Sequence, residues 1–185
     1  MTKSALILID IQNDYFPGGK WELHEIEASA SNARRLLDQA RAENQLIVHV
    51  RHEFASHDAP FFTPGSEGAQ IHESMQPMED EPIVLKHHVN SFRDTSLKQL
   101  LDDNEITNVT IVGEMSHMCI DAATRAASDF GYSVTVVEDA CSSRDLEHDG
   151  EIIAAPDVHK AYMSALGFAY ADIVTTEAYL SGVAP

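Results

Sequence analysis

The stretch NVTIVGEMSHMCIDAATRAASDFG, from Asn108 to Gly131, joins the pattern of a buried strand to that of an amphipathic helix. Residues 109–112 form a short, β-branched apolar run that Gly113 ends, which is typical of a strand in a parallel sheet. Apolar residues then recur at helical spacing until Gly131, where a helix is expected to stop. The stretch therefore predicts strand, turn and helix, the repeating unit of an α/β fold.

The turn between this strand and helix contains a cysteine. Ser116 is a candidate N-cap, which would place Cys119 in the first helical turn. Free backbone N–H groups and the helix dipole stabilise a thiolate there, so Cys119 is a candidate nucleophile. Because a free cysteine also behaves as a small apolar side chain, burial in the core is the alternative.

The rest of the chain repeats the alternation of strands and helices. Helical patterns lie between most of the short apolar runs, and no repeat, linker or low-complexity tract divides residues 1–185. One domain with a three-layer α/β/α architecture and a six-stranded, mostly parallel sheet is predicted. The predicted strands are 5–9, 46–50, 83–85, 109–112, 134–137 and 173–175.

Composition excludes several classes of partner. The formal charge is −18, from 12 Lys and Arg against 30 Asp and Glu. Nucleic acids and anionic membranes require basic patches, so neither is an expected partner. No apolar run approaches the roughly 20 residues of a membrane span, and no signal-peptide pattern is present, so we expect a cytoplasmic protein. Two cysteines without a paired spacing are expected to be thiols.

Three of the predicted strands deliver reactive groups to one place. Asp10 follows the first strand, Lys86 the third, and Cys119 the turn after the fourth. Parallel strands end at the same edge of a sheet, where ligands bind in open α/β folds. An acid, an amine and a thiol that met there could move a proton, hold a thiolate and attack a carbonyl carbon. The long polar segment 51–81 is a second candidate for a functional role.

Four segments in this order resemble the isochorismatase-like cysteine hydrolases, a family that includes nicotinamidases and N-carbamoylsarcosine amidohydrolases. They are LIDIQNDYF around Asp10, KHHVNSFRDTSL around Lys86, VGEMSHMCIDAATRAA around Cys119 and VVEDAC around Asp139. The resemblance covers nearly the whole chain. It implies a Rossmann-like sheet, a catalytic triad of Asp10, Lys86 and Cys119, and hydrolase activity.

The resemblance also implies details of the turn and of assembly. A cis peptide bond between Glu114 and Met115 would aim backbone N–H groups at an oxyanion, and those of Met115 and Cys119 are the expected oxyanion hole. Related hydrolases are commonly dimers or tetramers, which implies a homo-oligomer.

The chain departs from the nicotinamidases at their metal site. Those enzymes bind a metal through an aspartate and histidines after the second strand. Here His49, His52 and His57 are present, but Arg51 stands where the aspartate is expected. We therefore expect no metal and no cofactor, and interpret His52, His57, His87 and His88 as pocket walls or surface. Cys141 is expected to be structural.

The predicted function is cysteine-dependent hydrolysis of a small amide, ureido or related C–N bond through a thioacyl enzyme. The alternatives are a vinyl ether hydrolase of the isochorismatase type, a ligand-binding or scaffold protein with little turnover, and a redox sensor. Vinyl ether hydrolases of the family work without the cysteine, so Cys119 favours the thiol route. The expected partner is a small-molecule substrate in a partly aromatic pocket, for which the candidate residues are Phe16, Trp21, Phe92, His117 and Met118.

Overall fold

Six parallel strands form the central sheet of the computed structural model, which describes residues 3–182. The strands are β1 Ser4–Ile9, β2 Leu46–His52, β3 Ile83–Lys86, β4 Asn108–Glu114, β5 Ser133–Ser142 and β8 Asp172–Val174. Their order is β3-β2-β1-β4-β5-β8, so the chain builds outward from β1 on one side and from β4 on the other. The predicted six-stranded α/β fold is confirmed, and the sheet reverses its strand order between β1 and β4, where α/β proteins bind ligands.

Helices cover both faces of the sheet and complete the three layers. They are α1 Ile26–Ala42, α2 Leu97–Asp103, α3 Asp121–Asp129, α4 Ala155–Ala169 and α5 Thr176–Leu180. The side chains of β1 alternate between the two faces: Leu6 and Leu8 pack with α1, while Ile7 and Ile9 pack with α2 to α4. This two-sided burial explains why the strands are continuous apolar runs in the sequence.

Strand β5 continues five residues beyond the predicted end at Val137. A shift in register after Ile111 lets the end of β4 pair with the later residues Cys141 and Ser142. An antiparallel hairpin of β6 (Leu146–His148) and β7 (Glu151–Ile153) follows, and the sequence analysis did not predict it. Most of its residues are exposed, so they lack the apolar alternation by which strands are recognised.

Two buried polar side chains after β1 hold the long polar segment 51–81 in place. The Gln12 side chain donates to the carbonyl oxygens of His52 and Ala69, both at 2.8 Å. The Asp14 carboxylate accepts from the Phe62 N–H at 2.7 Å. These bonds fold the segment over the carboxyl edge of the sheet, beside β1.

Two further predictions concern the end of α3 and membrane insertion. Helix α3 ends at Asp129, and Gly131 follows with a φ of 91°, as expected for a helix-terminating glycine. Within residues 3–182, no helix has both the length and the apolar character needed to cross a membrane.

Candidate active site

The three reactive side chains predicted from the strand ends meet in the structure. The Lys86 ammonium Nζ lies 2.7 Å from Asp10 Oδ2 and 3.2 Å from Cys119 Sγ. Asp10 and Lys86 have no exposed surface, and Cys119 is 5% exposed. Lys86 therefore bridges the carboxylate and the sulfur in a site shielded from water.

Close contact between β1 and β4 sets the position of Asp10. Ile9 pairs with Gly113, and a Cβ on Gly113 would collide with the Ile9 carbonyl oxygen, so only glycine fits there. Asp10 itself adopts a left-handed conformation with a φ of 56°. Its N–H donates to the Val50 carbonyl oxygen at 2.9 Å, which ties the residue to β2. The backbone thus fixes the direction in which the carboxylate leaves the sheet.

A single π-helical turn, Ser116–Ile120, carries Cys119 and leads into α3. The Glu114–Met115 peptide bond that precedes it is cis, as the resemblance implied. The prediction that Ser116 caps the helix is wrong, because Met115 occupies the N-cap position and no side chain caps the turn. The Ser116 hydroxyl instead donates to the Ser142 carbonyl oxygen at 2.9 Å. Cys119 still lies in the first helical turn.

Glu114, at the end of β4, holds the start of this turn in place through buried hydrogen bonds. Its fully buried carboxyl group accepts a hydrogen bond from the Ser29 hydroxyl at 2.9 Å and one from the Ser142 N–H at 2.6 Å. Burial raises the pKa of Glu114 to about 7. Its partners lie on α1 and β5, so three elements fix the chain immediately before the cysteine.

Burial and the central ammonium determine the protonation of the three groups. Burial raises the pKa of Asp10 although Lys86 opposes the rise. Burial, and next the Asp10 charge, raise the pKa of the Cys119 thiol far above its ordinary range. Desolvation disfavours the Lys86 ammonium, but Asp10 and Cys119 outweigh it and raise the lysine pKa. At neutral pH the raised pKa values of Lys86 and Cys119 favour an ammonium and a neutral thiol. The ammonium, 2.7 Å away, opposes the effect of burial on Asp10 and favours its ionised form.

His52, at the end of β2, is a fourth member of the site that the sequence analysis placed only among pocket walls or surface. Its Nδ1 lies 2.9 Å from Lys86 Nζ, and the residue is 6% exposed. Burial first, and then the Lys86 charge, lower the pKa of His52 to about 3. The imidazole is therefore neutral and accepts from the ammonium through Nδ1. Lys86 thus hydrogen-bonds His52 and Cys119 and forms an ion pair with Asp10.

Gln12 fixes the backbone of His52 from both sides. Its side-chain oxygen accepts from the His52 N–H at 2.7 Å, while its amide nitrogen donates to the His52 carbonyl oxygen. Gln12 is itself fully buried. No spacing motif links residues 12, 52 and 86, and the only signal in the sequence is that each lies at or beyond the end of a strand.

The other histidines near the second strand are engaged elsewhere. His49 hydrogen-bonds Glu81 at 2.8 Å, Arg51 pairs with Glu53 at 2.6 Å, and His57 is exposed. Among residues 3–182, no group of three or more His, Cys, Asp and Glu side chains is placed to hold a metal ion.

An aromatic wall, which we define as Trp21, Phe54, Phe61 and Phe62, extends outward from His52. The rings of His52 and Phe54 meet edge to face with their centroids 4.6 Å apart, and Phe54 meets Phe61 at 5.1 Å. Phe61 in turn stacks on Trp21 at 4.6 Å. The aromatic wall thus runs from His52, which contacts Lys86, to the loop after β1.

The remaining residues predicted for the substrate pocket lie in different places. His117 and Met118 share the helical turn of Cys119, and the Met118 side chain is exposed. Phe92 is buried in the same apolar cluster as Cys119. Phe16 stacks on His72 with ring centroids 3.5 Å apart, and the two surface cavities that it lines do not include the reactive side chains. Their roles in binding stay predictions.

Comparison with known proteins agrees with this geometry. The isochorismatase domain family matches residues 4–177. The chain belongs to this family. YddQ, an uncharacterised isochorismatase family protein of Bacillus subtilis strain 168, is 45% identical over 177 residues, which cover 96% of this chain and 98% of YddQ. A crystal structure from Oleispira antarctica, assigned to the isochorismatase hydrolases, has 51% identity and a TM-score of 0.94, and the match covers 98% of this chain and 97% of that one.

More distant relatives in the isochorismatase family include amidases. Maleamate amidohydrolase of Pseudomonas putida is 28% identical over 189 residues, covering 95% of this chain and 84% of that enzyme. Nicotinamidase of Escherichia coli K12 is 26% identical over 184 residues, covering 80% and 86%. The chain is thus an isochorismatase-family hydrolase with amidases among its relatives.

Proposed function

We propose that this chain is a cysteine hydrolase that cleaves a small amide, ureido or related C–N bond through a thioacyl-enzyme intermediate. One observation carries the proposal. A buried ammonium lies within ion-pair distance of a carboxylate and donates a hydrogen bond to a sulfur, and neither oxygen of that carboxylate has a hydrogen-bond partner among residues 3–182. A structural ion pair would be expected to satisfy those oxygens.

In the proposed first step, the thiol proton of Cys119 passes to Asp10 as the sulfur attacks the carbonyl carbon of the substrate. Lys86 remains an ammonium throughout this step. It stabilises the negative charge as that charge shifts from the carboxylate to the sulfur. Because the transfer accompanies the attack, no free thiolate has to form from a thiol whose pKa is raised. The attack moves an electron pair onto the carbonyl oxygen.

Backbone N–H groups are proposed to stabilise that oxyanion. The Met115 N–H has no hydrogen-bond acceptor among the described residues, and Cys119 contributes the N–H of the first helical turn. Collapse of the intermediate breaks the C–N bond, and Asp10 returns its proton to the leaving nitrogen. The products of this step are a thioester on Cys119 and a free amine or ammonia.

Hydrolysis of the thioester by water completes the proposed cycle. Asp10, now ionised, accepts a proton from a water molecule as its oxygen attacks the thioester carbon. The C–S bond breaks, the sulfur recovers the proton from Asp10, and a carboxylic or carbamic acid leaves. The same carboxylate therefore acts as base and then as acid in each half of the cycle.

A panel of small amides, ureides and esters, assayed for released ammonia, amine or alcohol, tests this function. We expect turnover of at least one C–N substrate by the intact chain, and none by Cys119→Ala. Assays with and without a chelator should agree, because the Nδ1 lone pair of His52 already binds Lys86. Loss of activity on chelation, restored by zinc, iron or manganese, would contradict the metal-free mechanism.

Association into a dimer or tetramer stays a prediction. Several large apolar side chains lie on the surface, among them Phe168 at 91% exposure and Ile152 at 65%. Light scattering at micromolar concentration should give a multiple of 20.4 kDa. A mass of one chain would contradict this expectation.

A further inference from the structure

A cavity of about 290 Å³ lies between the start of α1, the end of β5 and the start of α4. Its lining residues come from three segments, 24–32, 138–143 and 155–159. None of the reactive side chains Asp10, Lys86 and Cys119 is among them. The cavity is therefore distinct from the site to which hydrolysis is assigned.

The charged side chains that line this cavity are acidic. Glu25, at the start of α1, and Glu138 and Asp139, near the end of β5, contribute three carboxylates. No lysine or arginine is among the lining residues. Carboxylates grouped around a cleft create a negative potential within it, so this cavity favours a cation.

Two sources of positive charge lie nearby, and neither cancels these carboxylates. The N-termini of α1 and α4 lie beside the cavity, and each carries a partial charge of about one half. At the start of α4, the Asp145 carboxylate already accepts from the Ala155 N–H at 2.8 Å. The Arg144 guanidinium packs on Trp21, with its Cζ 4.1 Å from the ring centre, and does not line the cavity.

A fourth carboxyl group lies behind the wall of the cavity. Glu114 is fully buried, and its two hydrogen-bond donors, Ser29 and Ser142, both line the cavity. No ion pair among residues 3–182 includes Glu114. A buried carboxylate is stabilised by a nearby positive charge, so a cation in the cavity would favour the ionised form of Glu114.

The Ser142 hydroxyl is an independent sign that a ligand is missing. The residue is 6% exposed, and its Oγ has no hydrogen-bond partner in the described part of the chain. Ser142 pairs in register with Glu114, and paired residues of neighbouring strands point to the same face of the sheet. Glu114 reaches Ser29 of α1, so the Ser142 side chain also points toward α1 and the cavity. A donor on a ligand would give this oxygen the partner that buried polar atoms normally have.

His159 offers a second acceptor. Its Nδ1 lies 2.7 Å from the Ser116 hydroxyl, whose single proton is donated to the Ser142 carbonyl oxygen. The Nδ1 atom must therefore donate, which leaves a lone pair on Nε2 as an acceptor. Burial lowers the pKa of His159, which favours this neutral ring. Apolar surface completes the cavity and comes from Ala28, Ala155 and Pro156.

We propose that this cavity binds a small primary alkylammonium ion, and that the bound ion stabilises the cysteine turn, Ser116–Ile120. The ammonium donates in three directions to acceptors from three segments, and the alkyl chain packs on the apolar surface. Among residues 3–182, no group of three or more His, Cys, Asp and Glu side chains is placed to hold a metal ion, so an organic cation fits better. The ion would contact Ser142, whose carbonyl oxygen and N–H hold Ser116 and Glu114.

Calorimetric titration of the full chain at constant ionic strength measures this binding directly. The probes are ethylammonium, propylammonium and butylammonium. The controls are 1-propanol, which has no charge, and tetramethylammonium, which has the charge but no N–H donor. We expect one of the amines to saturate one site per chain and to bind about tenfold or more tightly than either control. If none of the three amines binds more tightly than tetramethylammonium, the proposal is overturned.

Variants of the lining residues locate the site. Glu138→Gln should weaken binding of the preferred amine about tenfold, and Ser142→Ala should weaken it several-fold without loss of stability, because its hydroxyl has no partner to lose. Glu79→Gln removes an exposed carboxylate that does not line the cavity, and it is the matched control for the change in net charge. Equal affinities in Glu138→Gln and Glu79→Gln would overturn the assignment to this cavity.

Hydrogen exchange tests the effect on the turn. A saturating concentration of the preferred amine should slow amide exchange several-fold in a peptide that spans residues 114–120, and should leave the β2 peptide 46–52 unchanged. In Ser142→Ala, the same concentration should slow it less. Saturation without any slowing in residues 114–120 would refute stabilisation of the turn. Neither measurement depends on turnover, so both results are independent of the proposed thioacyl mechanism.

Discussion

Two ion pairs lie at opposite ends of β3, and they differ in whether the carboxylate oxygens have hydrogen-bond partners. At the amino end, the Glu81 carboxylate accepts two bonds from Arg41, at 2.7 and 2.8 Å, one from His49 and one from the Met78 N–H. Both of its oxygens are used. Arg41 is the main reason that the pKa of Glu81 falls to about 2.

At the carboxyl end, Lys86 pairs with Asp10 under different conditions. Neither side chain is exposed, the pKa of Asp10 is raised rather than lowered, and Asp10 Oδ1 has no partner in the described part of the chain. This difference supports the proposed roles, in which the saturated pair stabilises the fold and Asp10 of the unsaturated pair accepts a proton. Each pair also includes a histidine of β2, His49 or His52, but only the first of them contacts a carboxylate.

Removing the lysine should produce the largest effect. Lys86→Met leaves the Asp10 charge buried without a partner, so we expect unfolding free energy to fall by about 3 to 5 kcal/mol. Activity should fall roughly 10³-fold or more because proton transfer from Cys119 loses its electrostatic support. In the double variant Asp10→Asn, Lys86→Met, stability should recover while activity does not. Urea unfolding and amidase assays check both, and an active double variant would refute the assigned roles.

Removing the carboxylate of the other pair should affect stability alone. Glu81→Gln should lower unfolding free energy by about 2 kcal/mol at neutral pH and change kcat/KM less than twofold. The folded-state pKa of Glu81 is below its ordinary 4.5, so this stabilisation is present above about pH 4.5 and is lost as pH falls toward 2. The difference between Glu81→Gln and the parent should therefore shrink between about pH 5 and pH 3. A difference that grows on acidification would contradict this sign.

Altering His52 should have the smallest effect and tests whether it positions Lys86. We expect His52→Leu to lower kcat about tenfold with little change in KM, because the ammonium loses one of its hydrogen-bond acceptors. Loss of that acceptor should also disfavour the ammonium, so the alkaline limb of the pH–rate profile should move to lower pH. His52→Asn, which can still present an oxygen acceptor, should restore most of kcat, and His49→Leu serves as the control. Equal activity and equal profiles for His52→Leu and His52→Asn would show that His52 has no positioning role.

The sequence could predict the reactive trio because sheet geometry alone brings strand ends together. Asp10, Lys86 and Cys119 each follow a short apolar run, and parallel strands deliver such residues to one edge. His52 also ends a strand, but its role depends on which way the side chain points. That direction is set by Gln12 through backbone contacts that leave no spacing pattern.

Other features depended on contacts between distant segments. Ser116 has the side chain of a helix cap, yet its hydroxyl bonds Ser142, 26 residues away, so local propensity gave the wrong cap. The cis bond after Glu114 was expected only from the resemblance to a family, since no local rule predicts it. Arg144 and Trp21 lie 123 positions apart in the sequence, and their contact was not predictable from it.

Mass spectrometry of the quenched protein tests the central claim, that Cys119 is the nucleophile, most directly. The intact chain is mixed with a slow substrate or with an electrophilic substrate analogue, quenched in acid and digested. The account predicts an adduct on the peptide that contains Cys119 and none on the peptide that contains Cys141, which is also buried but whose sulfur contacts a backbone carbonyl oxygen and not an ammonium. It also predicts no acyl adduct and no turnover in Cys119→Ala. Modification of Cys141 alone, or full turnover by Cys119→Ala, would contradict the account.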